Sequence, residues 1–160
     1  MTILKKIARK IIKISFDFSV YTIERFNDME LYNQKVSKLR DLQNGMLGKE
    51  IADYLDNYKL TLVPNYESHD LKHVLLDYKM TAEDEIRMQA FMLGNGNYTI
   101  SCFAIFSFGA ILLPDLWSTF YQDYKKGRKS IPISGWKIED YAKSNINELR
   151  LKLNKQLPKV

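Results

Sequence analysis

Histidine and cysteine are the scarcest reactive side chains in this chain of 160 residues: there are two of the first and one of the second. A single cysteine, Cys102, excludes an internal disulfide framework and points to a reducing compartment. Set in an apolar run, it reads as a small buried hydrophobe. Low-complexity tracts and internal repeats are missing too, and a hydrophobic fraction of 46% with ten Tyr and eight Phe excludes a disordered polyelectrolyte. No apolar run reaches the length of a membrane span: Ile100 to Leu113 would rise about 21 Å as a helix, against a hydrocarbon core of roughly 30 Å. The N-terminus lacks the continuous apolar core of a signal peptide, because its aliphatic residues alternate with Lys and Arg. A cytoplasmic chain forming a single domain over 1–160 is the expectation.

Acids are absent from residues 1–16, which hold Lys5, Lys6, Arg9, Lys10 and Lys13 and so carry the whole net charge of +5. Ile3, Leu4, Ile7, Ala8, Ile11 and Ile12 recur there at helical spacing, predicting a basic amphipathic helix over 1–15. Two roles fit it equally: lying on an anionic membrane surface at the inner face, or packing as an ordinary terminal helix. Nucleic acid is a poor partner, since no aromatics interleave with the basic residues to stack on bases.

The rest of the chain reads as helices. Phe16, Val20, Ile23 and Leu31 continue the helical pattern to residue 40, and Gln43-Asn44-Gly45 breaks it. A short helix follows from Lys49 to Tyr58, then a loop through Pro64 and Asn65. Ser68 is the expected N-cap of a two-turn helix. Thr81-x-x-Asp84 opens a further helix over 82–93 that stops at Gly94-Asn95-Gly96, and the two are expected to form a hairpin. Ile100–Leu113, apolar all round, predicts a central buried helix. Pro114 starts the next, which ends in the basic run Lys125 to Lys129, and Trp136 to Leu153 forms the last. The expected fold is all-α, one compact domain of six or seven helices.

Both histidines fall in Ser68-His69-Asp70-Leu71-Lys72-His73. Residues four apart on a helix lie one above the other, so both imidazoles can address one atom, with Asp70 turned by about 100°. Two imidazoles with one or two carboxylates form an open, catalytic type of divalent-metal site. Spacing does not select the carboxylates: Asp77, Glu83, Asp84 and Glu85 all stand near. A zincin protease needs the longer Glu beside its first His, and an HD-type phosphohydrolase needs a His upstream of His69; this chain has neither.

His69-Asp70-x-x-His73, eleven intervening residues and Glu85 resembles the metal motif of the coenzyme Q biosynthesis protein 4 family. The likeness runs over roughly residues 66–153, through Glu85-Ile86, the apolar stretch ending at Pro114, a Gly127-Arg128-Lys129 loop and Leu149-Arg150-x-x-Leu153. The resemblance implies an all-helical protein that binds a divalent metal, usually zinc, through His69, Asp70, His73 and Glu85. It further implies a prenylated quinone precursor or other isoprenoid lipid as partner, work at a membrane surface, and a link to oxidative decarboxylation of a prenylated benzoate ring. On that reading Phe91, Phe103 and Phe106 are candidates for a lipid groove and Arg128 and Lys129 for a headgroup contact. A homodimer or partners in a biosynthetic complex would follow. A non-catalytic lipid-binding scaffold and a soluble metal-dependent hydrolase are the alternative functions. Asn65-Tyr66-Glu67-Ser68 and Asp77-Tyr78-Lys79-Met80 stand where that family commonly carries an Arg-rich lead and a Gly-x-Pro turn.

Overall fold

The computed structural model describes residues 3–26, 29–64 and 66–154. Asn65 and the side chains of Leu4, Lys5, Phe16 and Val20 lie outside the described residues. Among the described residues the protein is all-α, with nine α-helices and one 3₁₀ turn, more segments than the six or seven expected. In chain order they are α1 (Ile3–Phe26), α2 (Glu30–Arg40), α3 (Leu47–Tyr58), α4 (Glu67–Leu76), α5 (Ala82–Gly94), α6 (Ile100–Leu112), the 3₁₀ turn Pro114–Leu116, α7 (Trp117–Lys129), α8 (Ile138–Tyr141) and α9 (Ile146–Leu153). The chain divides into two compact units, one of Met1–Phe16, Tyr78–Gly135 and Leu153–Val160, the other of Asp17–Asp77 and Trp136–Lys152.

In the unit that holds α4, the apolar face of α3 (Leu47, Ile51, Leu55) is fully buried and α3 packs against α2 and α4. Lys35 on α2 pairs with Glu67 at the start of α4 (3.6 Å) and with Glu139 at the start of α8. That ammonium holds the Glu139 carboxyl below its ordinary range. The expected last helix is two helices here. Between α8 and α9 the carbonyls of Ala142 and Ser144 accept from the N–H groups of Gly48 and Leu47 (2.9 Å each), which supplies partners to the open N-terminus of α3. Asn145 Oδ1 then accepts from Asn147 N–H at 2.9 Å and starts α9. From α9, Arg150 donates to the carbonyls of Leu75 (3.1 Å) and Val74 (2.8 Å), anchoring the C-terminal end of α4.

In the other unit α5 packs against α7 and α6. The first contact is backbone on backbone. A Cβ on Gly94 of α5 would sit 2.0 Å from the Tyr124 carbonyl oxygen of α7, and one on Gly127 of α7 would sit 2.0 Å from that of Phe91 on α5. Gly127-Arg128-Lys129 is therefore the last turn of α7 and not a loop. Buried Asn95 locks the same end, donating to the Ile131 carbonyl (2.8 Å) and accepting from Ile133 N–H (2.8 Å). Ala8 and Ile12 of α1 join Ile86, Ala90, Leu113 and Phe120 in the core, while Ile3, Ile7, Ile11 and Ile14 stay exposed.

The expectation of a central buried helix over 100–113 is overturned. Along α6 only Cys102 and Gly109 are buried, whereas Ile100 is 88% and Ile111 76% exposed. An all-apolar sequence says nothing about which side is covered; Gly109 decides it, since a Cβ there would meet Ile86 Cδ1 at 2.2 Å. No single described helix is long and apolar enough to cross a membrane. Ile100–Leu112 with Pro114–Lys129 meets that test only as a pair bent by 103°.

Two predictions follow from the unit of α5 and α7. Gly127→Ala is expected to lower stability by about 1–3 kcal/mol, because backbone atoms must move to admit the methyl group; a thermal melt unchanged from wild type would remove the close contact. Tyr78 donates to buried Asp123 (3.0 Å), which also accepts from Arg87 at 2.8 Å. Burial, with the Asp123 charge next, pushes the Tyr78 phenol above its ordinary value of about 10. The stability it contributes is full below that value and is lost as pH rises above it, where the unfolded phenol ionises and the folded one stays protonated. Chemical denaturation between about pH 9 and 11 should therefore show the gap between wild type and Tyr78→Phe narrowing by up to ~1.4 kcal/mol per pH unit.

Candidate functional site

The histidine helix begins two residues earlier than its sequence suggested, at Glu67 instead of His69. Tyr66 precedes α4 without a side-chain cap, its carbonyl accepting from His69 N–H at 2.8 Å, and Ser68 lies inside the helix, not at its N-cap. At the other end Asp77 takes the left-handed conformation (φ 61°) and returns its N–H to the His73 carbonyl. Between them Asp70 to Leu76 are all buried, unusual for a stretch with Asp, Lys and His.

The four-residue spacing brings the two imidazoles together: His69 Nε2 and His73 Nε2 are 3.0 Å apart. His73 has 0% exposure, its ring 6.0 Å from that of Tyr54 at 28°, while His69 is half-buried. Two ring nitrogens at this distance have two physical solutions, a proton shared between them or a cation accepting from both. Nitrogens bound to one tetrahedral zinc at roughly 2.0–2.1 Å stand about 3.3 Å apart, so the pair fits a common ion after opening by a few tenths of an ångström. Asp70 is buried on the same helix, in its first turn, where the helix dipole favours a carboxylate.

The carboxylates that spacing left open have different local roles. Glu83 pairs with Arg9, and Asp84 pairs with Arg87 (2.8 Å) and accepts from Lys79 N–H (3.1 Å). Asp77 is the exposed C-cap already described. Glu85 alone of these four is buried, and Gln89, one turn on, donates to its Oε1 at 3.1 Å. Thr81 caps α5 as expected, accepting from Asp84 N–H at 3.1 Å, which starts the helix so that Glu85 falls on its inner face.

The phenylalanines named for a lipid groove lie in different surroundings: Phe91 is fully buried, Phe106 is half-buried and edge-on to Phe120 at 5.9 Å, and Phe103 is 63% exposed. Lys129 lines an open cleft of about 310 Å³ with Gln122, Lys125 and Lys126, and Arg128 is exposed. Arg150 enters the sequence reading only within Leu149-Arg150-x-x-Leu153, without a role, and two further supporting residues are not singled out in the sequence. Gln89 carried a signal, its four-residue offset from Glu85; Tyr54 is brought in by packing and carried none.

No family model matches the chain, and no curated protein matches it. Its fold is similar to that of a solved structure from Nostoc punctiforme, a protein provisionally assigned to ubiquinone biosynthesis, with a TM-score of 0.61 and 18% identity over 96% of this chain and 82% of that one. At that identity the likeness is one of fold.

Proposed function

We propose that the protein is a metal-binding member of quinone or prenyl-lipid metabolism that works at a membrane surface. In this reading His69, His73 and Glu85, each of which offers one ligand atom, hold a divalent ion, zinc by preference, with Asp70 as a further ligand or as the group that orients an imidazole. The observation that carries it is the approach of the two Nε2 atoms to 3.0 Å on a buried helix face. The burial of Glu85, when its acidic neighbours are taken by arginines, supports the choice of carboxylate. The shared fold with a protein assigned to ubiquinone biosynthesis supports the pathway.

Bound there, the ion would supply a Lewis acid to a ring carboxylate and the oxygen beside it. The chain's own residues hold the donors ready for it. Tyr54 limits the swing of the His73 ring, Gln89 fixes one oxygen of Glu85, and Arg150 holds the last turn of α4. An isoprenoid tail would lie against the apolar residues of α6.

Metal analysis of the purified protein after exhaustive dialysis, with mass spectrometry of its extracted lipids, tests the reading. About one divalent ion per chain is expected, together with an isoprenoid quinone precursor. Glu85→Gln, nearly isosteric, should weaken metal affinity by at least about tenfold and Asp70→Asn by about 10–100-fold, with Glu83→Gln unchanged. Retention of neither ion nor isoprenoid by wild type would refute it.

A further inference from the structure

We infer that the outer face of α6 docks on an anionic phospholipid bilayer, a surface assignment that rests on the reading of this chain as a membrane-surface protein. At 100° per residue, Ile100, Ala104, Phe108 and Ile111 fall within an arc of about 80°, opposite Cys102 and Gly109. The first four are exposed; the last two face α5, where the Cys102 thiol lies 3.7 Å from the Gln89 carbonyl. The helix is thus anchored on its small-residue side and leaves its bulk outside. From Ile100 to Leu113 there is no charged residue. Burying such a face is favourable by about 25 cal/mol per Å², and a monomeric protein seldom leaves one uncovered.

Aromatic and cationic side chains exposed on the same unit have the chemistry of a lipid headgroup region. Tyr98 and Trp117, both exposed, bracket α6, and the Trp117 indole donates to the Ala110 carbonyl at 2.6 Å, which holds the ring against the end of α6. Exposed Tyr121 follows on α7 with the Lys125 ammonium 5.0 Å from its ring centre. The α1 stripe of Ile3, Ile7, Ile11 and Ile14 is exposed in the same unit, and exposed Lys6 and Lys10 run beside it at helical spacing. Ala8 and Ile12 tie α1 to the same core that Ile105 and Ala110 of α6 pack against.

Charge selects the occupant. A second copy of the chain would bring this same face, with no acid on α6 to answer the lysines of α1 and α7; Asp115, between α6 and α7, already pairs with Arg9 at 3.5 Å. Anionic headgroups answer those lysines directly. A helix of 13 residues rises about 20 Å, too short to span, so it lies in the interface plane.

Flotation of the full chain with vesicles is the test, using phosphatidylcholine alone and phosphatidylcholine with phosphatidylglycerol. Wild type should float with the anionic vesicles, more weakly as salt rises, with a blue shift of Trp117 fluorescence. Ile111→Glu should lower the partition constant by about tenfold or more, and Ile111→Ser by less, while circular dichroism and metal content stay as in wild type. Lys10→Glu with Lys125→Glu should weaken binding to the anionic vesicles only. Equal binding by wild type and Ile111→Glu overturns the assignment. So does a wild-type dimer, seen by light scattering, that Ile111→Glu dissociates with no vesicle binding by either. Wild type that floats yet retains no divalent ion after dialysis would sink the metal-site reading and leave this surface standing.

Discussion

Burial of ionisable groups is the constraint on which the rest of the structure turns. On α4, Asp70, Lys72 and His73 are all withdrawn from water, and on α5 so are Glu85 and Gln89. Desolvating such groups is costly unless each finds a partner, and much of the surrounding architecture consists of partners. Arg150 closes the end of α4, Asp77 turns back on His73, and Gln89 meets Glu85. A chain selected for stability alone would place leucine at such positions; polar donors kept inside at this cost are what the proposed metal site would need.

Each of the two units has its own means of packing. The α5–α7 contact depends on two reciprocal glycines that bring backbone against backbone, and rigidity there fixes the helix that carries Glu85. The unit of α2, α3 and α4 depends on an aliphatic face of α3 and on carbonyls between α8 and α9 that cap it. The lysines of α7, the exposed Ile3, Ile7, Ile11 and Ile14 of α1 and the bare side of α6 contribute little to either core. That surplus of apolar and cationic surface on one unit is what a lipid interface would use.

Much of the fold could be read from local signals because those signals are local in physics. Thr81 caps α5 through a bond to a residue three positions on, and Gly94-Asn95-Gly96 ends it within one turn. The histidine pair is equally local, since a four-residue offset on a helix places both rings on one side whatever surrounds them. Where the reading failed, distant residues were responsible. Ser68 lost the N-cap because the helix starts two residues earlier, at Glu67, whose carboxylate pairs with Lys35 of α2. The last helix was cut in two because the N-terminus of α3, about a hundred residues upstream, needed its carbonyls.

By itself, then, the sequence determined an all-α chain, a cationic N-terminal helix and two imidazoles on one helical face. These follow from periodicities of three to four residues. Tertiary structure decided which carboxylate is buried, because Arg9 and Arg87, remote in sequence or on another turn, occupy Glu83 and Asp84 and leave Glu85 inside. It also decided that α6 faces outward. A helix apolar on every side carries no moment to orient it, so its burial was set by the one glycine flat enough to meet Ile86.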